Sequence, residues 1–327
     1  MARQHRLEMI REIEMRRNSS VICYITGDRD NLHTRIAPDV IPIFYRHLEI
    51  VPDRRRVDLF LYTRGGDILT PWRVVQLIRE YTGEYCVLVP FRSYSAGTLF
   101  CLGADEIVMA KMGELGPIDP SVVNAYNPED PCNPSARMPV NIEDVYSYFT
   151  LAGEAAKLDA GSMSLIFAEL ARRIHPLALG NVHRNYLLIR SLAKKLLGFR
   201  RCSLCAEDVQ RIVDNLTEKL YAHNYTISRR EALEDVGLPV SYPDIDLERL
   251  IWSLYEDFAR ELQLAEPFDP REITTGPRRE FEIPAGVVES QFGRDYFIYS
   301  GVVEGKRYNG DTQINVDIIR QGWKTIE

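Results

Sequence analysis

Short uninterrupted apolar blocks alternate along this chain with stretches whose apolar positions recur every three or four residues. Residues 20–25 (SVICYI), 56–62 (RVDLFLY), 85–89 (YCVLV) and 106–110 (EIVMA) are β-branched or aromatic. They end near turn residues, as strands buried on both faces do. Between the first two, residues 38–48 place Val40, Ile41, Ile43, Phe44 and Leu48 at helical spacing. Thr70 and Pro71 read as an N-cap and a proline at the first helical position. The helix they open continues through Trp72, Val75, Leu77, Ile78 and Tyr81 to a stop at Gly83. A further helix over 95–103 leads into the fourth strand. Near-continuous apolar strands joined by helices predict an α/β fold of repeated βαβ units, with a mainly parallel sheet covered on both faces.

The second half changes character. Residues 124–138, rich in Asn and Pro, read as a surface loop. Helical periodicity then runs through 142–157, 162–174, 184–198, 206–220 and 246–262. From Glu280 onward the pattern is Gly-punctuated and β-branched, which predicts a few antiparallel strands. The expected division is a main domain over 1–265 and a small β-rich C-terminal segment over 266–327.

Composition narrows the function classes. The 327 residues are 45% hydrophobic and carry a net charge of −7, with a pI near 5.6. That supports a real core and leaves no basic excess for neutralising phosphates, so nucleic acid is not an expected partner. Arg54-Arg55-Arg56 and Arg200-Arg201 read as solvated clusters. The opening segment is amphipathic, with Leu7, Met9, Ile10 and Ile13 among Arg and Glu, and no apolar run is long enough for a membrane span. A cytoplasmic protein is the expectation. Of the six cysteines, Cys23, Cys86 and Cys101 lie in apolar runs. Cys202-Ser203-Leu204-Cys205 is a lone C-x-x-C without the further ligands a zinc site needs, so neither a metal nor a cofactor is expected.

Two glycine-containing turns close predicted strands: Tyr62-Thr63-Arg64-Gly65-Gly66-Asp67 and Ser93-Tyr94-Ser95-Ala96-Gly97-Thr98. Sites in parallel α/β sheets form beyond the carboxyl ends of the strands. A serine at a strand-to-helix turn presents its hydroxyl beside free backbone N–H groups, and paired glycines let a neighbouring backbone approach the same point. Alone, each motif is ambiguous, since a serine before glycine at a helix start is commonly just an N-cap. Neither a phosphate loop nor a dinucleotide fingerprint is present, and no ATPase motif accompanies them.

The run LYTRGGDI, followed by VPFRSYSAGTLFCLGADEIVMAKMGELGPIDPS, resembles the serine dehydrogenase proteinase family, relatives of Clp proteases and signal peptide peptidase A in the Clp/crotonase superfamily. The likeness extends from Arg6 to about Val240. It implies a Clp/crotonase-type fold and a serine peptidase with Ser95 as nucleophile. The backbone N–H groups of Gly66 and Ala96 would form the oxyanion hole. The family's triad order, Ser, Asp, His, carries over to Asp119, in Leu115-Gly116-Pro117-Ile118-Asp119-Pro120, and to His223, in Tyr221-Ala222-His223-Asn224-Tyr225. Asp119 could also cap a turn, and His223 could be an exposed helix-end residue. Among the other histidines, His47 and His183 fall in predicted helices, His175 precedes a proline, and His5 and His33 look peripheral. Lys157 is the alternative base, as in relatives with a Ser-Lys dyad. Arg64 departs from the family, standing where a proline commonly precedes the paired glycines. The resemblance further implies a homo-oligomer acting on peptides or proteins without a metal. Two rivals remain: a crotonase-type acyl-CoA enzyme, and a non-catalytic scaffold that binds a protein partner.

Overall fold

The computed structural model describes residues 2–51, 56–118, 121–122, 124–218, 225–308 and 311–326. Strands β1 (Ser20–Thr26), β2 (Arg56–Tyr62), β3 (Glu84–Val89), β4 (Glu106–Met109), β5 (Val240–Ser241), β6 (Arg279–Ser290), β7 (Gly293–Tyr308) and β8 (Asp311–Thr325) form one sheet, in the order β5-β4-β3-β2-β1-β6-β7-β8. From β5 to β1 every neighbouring pair is parallel, with Ser20 opposite Val57 and Val57 opposite Tyr85. Helices α2 (Ile41–Ile50), α3 (Leu69–Tyr81) and α4 (Ala96–Leu102) connect the first four strands in turn.

Period-two alternation sorts each strand's side chains between two cores. Ile22, Tyr24, Leu59, Leu61, Val87, Val89, Ile107 and Met109 face α2, α3 and α4, together with α7 (Pro176–Leu197) and α8 (Ala206–Thr217). Val21, Cys23, Ile25, Phe60, Tyr62, Leu88 and Val108 face the other way. There α1 (Ala2–Arg17) contributes Met9, Ile10 and Ile13, and α9 (Ile245–Glu261) contributes Leu247, Ile251, Leu254 and Phe258. Both faces being buried explains why these strands read as continuous apolar runs. The one charge inside them, Asp58, is fully buried, and it is held by Arg17, by Arg56 at 3.0 Å and by the Ser19 hydroxyl at 2.9 Å.

The C-terminal β segment extends this sheet. β6 runs antiparallel to β1, Cys23 facing Glu289 and Thr26 facing Gly286, and β7 and β8 continue as a meander. A buried ion cluster fixes the junction: Arg6 on α1 bonds Glu289 on β6 at 2.6 Å and Asp257 on α9 at 2.8 Å, and also reaches Glu261. Removing one partner would leave an uncompensated buried charge, so the cluster ties the first helix to the last strands.

Several boundaries differ from the sequence-based expectation. α3 begins at Leu69, with Ile68 in the cap position, and its free N–H groups are satisfied by Asp67 rather than by Thr70: the Asp67 carboxylate accepts from the Leu69 N–H at 3.1 Å and from the Thr70 N–H at 2.7 Å. An aspartate outcompetes threonine here because its carboxylate also meets the positive end of the helix dipole. Within the expected surface loop, Glu129–Asp130 pairs with Asn133–Arg137 as a small hairpin. The helices expected over 142–157, 162–174 and 184–198 are α5 (Ile142–Thr150) with a wider turn over Leu151–Ala155, α6 (Ala160–Arg173), and α7, which starts eight residues earlier than expected, at Pro176.

Candidate active site

Beyond the carboxyl end of β3 the chain makes a two-residue strand, Arg92–Ser93, turns sharply at Ser95 and enters α4. Ser95 adopts φ 53° and ψ −112°, the geometry of the first central residue of a type II′ turn, normally a glycine position. The turn is closed by the Gly97 N–H donating to the Tyr94 carbonyl at 2.8 Å. Strain of this kind persists only where its surroundings enforce it. Although Ser95 occupies the N-cap position of α4, its hydroxyl makes no capping hydrogen bond. The ordinary role of a serine at a helix start is therefore absent, and Ser95 lines a cleft.

The glycine loop after β2 is held against this turn. The Thr63 N–H donates to the Arg92 carbonyl at 2.9 Å, and the Thr63 carbonyl accepts from the Tyr94 N–H at 3.1 Å. A β-carbon on Gly97 would lie 2.5 Å from the Thr63 methyl, so the glycine two residues after Ser95 is what lets the two loops touch. Gly65 and Gly66 have φ of 101° and 152°, and a β-carbon on Gly65 would sit 2.8 Å from the Ser95 β-carbon. Only glycine fits both demands. On the loop's other side Ile36 pairs with Gly66: the Ile36 N–H donates to the Gly65 carbonyl at 2.9 Å and the Asp67 N–H to the Ile36 carbonyl at 2.8 Å. That pattern leaves the Gly66 N–H outside the ladder. The Ala96 N–H, at the first turn of α4, is likewise one of the helix's intrinsically unpaired donors.

A second small sheet gathers two more segments here. Glu114–Leu115 runs parallel to Arg92–Ser93 and antiparallel to Ile227–Ser228, with Leu115 opposite Ile227. The buried Thr98 hydroxyl reinforces the junction, 2.8 Å from the Gly116 carbonyl and accepting from the Gly116 N–H at 3.2 Å. The Ile118 N–H also donates to the Leu216 carbonyl at the end of α8.

These elements border a cleft of about 1000 Å³, lined among others by Ser95, Gly65, Gly66, Ile36, Pro117 and Tyr225. Its floor is polar. Asp28 accepts from the Tyr62 hydroxyl at 2.8 Å, Arg64 at 2.7 Å and Arg92 at 3.1 Å. Burial, with the neighbouring Asp28 carboxylate, pushes the Tyr62 phenol well above its usual value. Tyr94, beside Ser95, is pushed up to about 12 by burial and by its hydrogen bond to Glu114, so it stays a neutral donor at physiological pH.

Ser95, Gly66 and Ala96 are thus brought together. Asp119 and His223 lie outside the described residues. Pro117, two residues before Asp119, and Tyr225, two residues after His223, both line the cleft. Lys157 is exposed, with φ 52°, and does not line it. Arg64, at the position of the expected proline, leaves the glycine turn intact and forms the ion pair with Asp28. Sequence reasoning missed His33, which is the one histidine among the described cleft residues. Its neighbour Leu32 is buried while His33 is exposed, and a two-residue strand is too short to leave a pattern in the sequence that would have flagged it. One Ser–His–Asp chain exists elsewhere: His47 Nδ1 lies 2.8 Å from the Ser290 hydroxyl and Nε2 lies 3.1 Å from Asp295. All three side chains are buried, so no substrate carbonyl can reach Ser290.

Among the described residues no three His, Cys, Asp or Glu side chains gather as metal ligands would, and no helix is long and apolar enough to cross a membrane. All six cysteines are free, Cys202 and Cys205 on the surface.

Residues 1–129 match the family model of the ClpP-like SDH-type serine proteinases, the family whose motifs the sequence resembles. The matched part contains Ser95, Gly66 and Asp119 and stops short of His223. The chain is similar to two uncharacterised proteins of Methanocaldococcus jannaschii. It is 26% identical to one over 262 residues, covering 77% of each chain, and 32% identical to the other over 128 residues, covering 36% of this chain and 42% of the relative.

Proposed function

We propose that the protein is a serine peptidase that cleaves peptide bonds through an acyl-enzyme on Ser95. The observation that carries this reading is the strained turn at Ser95, whose hydroxyl makes no capping bond and which packs against the Gly65-Gly66 loop. A strand–turn–helix of this kind is how serine hydrolases expose a nucleophile. The match of residues 1–129 to a serine proteinase family supports it. In this reading His223 takes the Ser95 proton as the hydroxyl oxygen attacks the carbonyl carbon. The Gly66 and Ala96 N–H groups receive the oxyanion, and the protonated imidazole passes its proton to the leaving amine. Water then repeats the sequence and frees the acid. Asp119 orients the imidazole and stabilises its positive form. The junction that joins the Arg92–Ser93, Glu114–Leu115 and Ile227–Ser228 segments supports this assignment, because both partner segments leave it next to the cleft.

We extend the proposal to a homo-oligomer. α6 buries none of its side chains within the chain and exposes Leu165 and Phe167, apolar groups that a second copy would cover. A different assignment of the base, to His33, is favoured by its position in the cleft. The test is hydrolysis of internally quenched peptides by wild type and by the Ser95→Ala, Asp119→Ala, His223→Ala and His33→Ala variants. Losses of about a thousandfold or more in the first three, with His33→Ala within a few fold of wild type, are expected. The opposite pattern at the two histidines assigns the base to His33. Turnover that survives Ser95→Ala retires the acyl-enzyme and favours the crotonase-type alternative, whereas no turnover by folded wild type favours the scaffold.

A further inference from the structure

Charge accounting in the cleft singles out one cation. Six charged residues line it: Asp28, Arg29, Asp30, Arg35, Arg64 and Asp67. Arg64 and Asp28 form an ion pair, and Asp28 is shared with Arg92. Asp67 is consumed in capping α3. Arg29 is held by the carbonyls of Glu266 at 2.8 Å and Pro267 at 3.4 Å, and lies over the Phe268 ring. Asp30 sits at the tip of the hairpin between Asp28–Arg29 and Leu32–His33. That leaves Arg35. It is exposed, makes no hydrogen bond or ion pair with any other described residue, and immediately precedes Ile36, the residue paired with Gly66. Ile36 is buried, so the alternation of an extended segment turns Arg35 outward, beside the backbone that would carry the oxyanion.

We propose that Arg35 reads a carboxylate on the bound peptide, so that the cleft selects substrates with an acidic group close to the scissile bond. This rests on the peptidase reading above. A guanidinium presents a planar fork of donors matched to a carboxylate, and this one gives up no protein partner when it binds. Lys-bearing peptides meet an unneutralised cation at the same point. The carboxylate can be a Glu or Asp side chain or a free C-terminus, and the chemistry of recognition is the same for both.

Two measurements test this and separate its failure from failure of the peptidase reading. The first is binding of fluorescent, N-acetylated, C-amidated peptides carrying Glu, Gln or Lys at each position flanking the central bond. It is read by anisotropy on the Ser95→Ala protein and on Ser95→Ala combined with Arg35→Glu or Arg35→Gln. A parallel set of neutral peptides with free C-termini distinguishes the two carboxylate sources. The second is kcat/KM for the same series with catalytically intact Arg35 variants. The expected preference for a carboxylate peptide over its Lys or amidated counterpart is about fivefold, abolished by Arg35→Gln and reversed by Arg35→Glu. Because each protein is read as a ratio between peptides, a general loss of affinity cancels. Equal binding of acidic and basic peptides, or a preference that survives Arg35→Glu, overturns the inference whatever cleavage shows. A binding preference that follows Arg35 with no cleavage of any peptide by wild type upholds it and defeats the peptidase reading instead.

Discussion

Replacing Ser95 by glycine is expected to stabilise the fold relative to replacing it by alanine. At φ 53° and ψ −112° a residue with a β-carbon carries strain of ~1–3 kcal/mol, and glycine adopts this conformation without it. Against that stands the greater freedom of glycine in the unfolded chain, ~0.4–1 kcal/mol. The balance favours Ser95→Gly over Ser95→Ala by about 1 kcal/mol, which for a chain of this size is roughly 2 °C in melting temperature. The Ser95 hydroxyl makes no capping bond, so Ser95→Ala itself should fall within about 0.5 kcal/mol of wild type. Chemical denaturation of the three proteins, with the slope checked for equality, measures the ordering Ser95→Gly above wild type and Ser95→Ala. A Ser95→Gly protein less stable than Ser95→Ala by the ordinary glycine decrement would show that the turn stores no strain, and would remove the physical argument that this serine is held for chemistry.

Two further outcomes follow from the same geometry. Gly65→Ala would place a methyl 2.8 Å from the Ser95 β-carbon at a φ of 101°, so it should displace Ser95 and, on the proposed mechanism, lower acylation by about a hundredfold or more, measured as the rate of covalent inhibition. Burial pushes the Asp295 carboxyl upward, but hydrogen bonds from His47 and Thr325 and the charge of Arg46 outweigh it and hold it below its usual value. A folded value below the unfolded one contributes stability that is present above pH ~4 and is lost as the pH falls through the folded value. Asp295→Asn should therefore flatten the acid side of a stability-versus-pH curve below pH ~4, and an unchanged acid slope would contradict it.

The four parallel strands were legible in the sequence because burial on both faces makes each a continuous apolar run, and Ser95 and the paired glycines were legible because strand-end turns are where parallel sheets place their sites. The start of α3 was not. Asp67 and Thr70 are both good caps by type, and only the fold's demand that Ile36 pair with Gly66, with the Asp67 N–H donating to Ile36, sets which one faces the helix. The attachment of the C-terminal strands to β1 was equally hidden, since antiparallel pairing across more than 250 residues leaves no local signal. Arg6, ordinary in an amphipathic helix, gave no sign that Glu289 and Asp257 would bury it. His33 was passed over because a short hairpin that lines a cleft looks, in sequence, like any polar loop.

The central claim is that Ser95 is an activated nucleophile, and fluorophosphonate labelling of the folded wild-type protein, with the modified peptide located by mass spectrometry, tests it most directly. The account predicts a single adduct on Ser95, absent from Ser95→Ala, and none on Ser290, whose hydroxyl is bonded to His47 but buried. An unlabelled Ser95 in folded protein, or an adduct on Ser290 in its place, would contradict it.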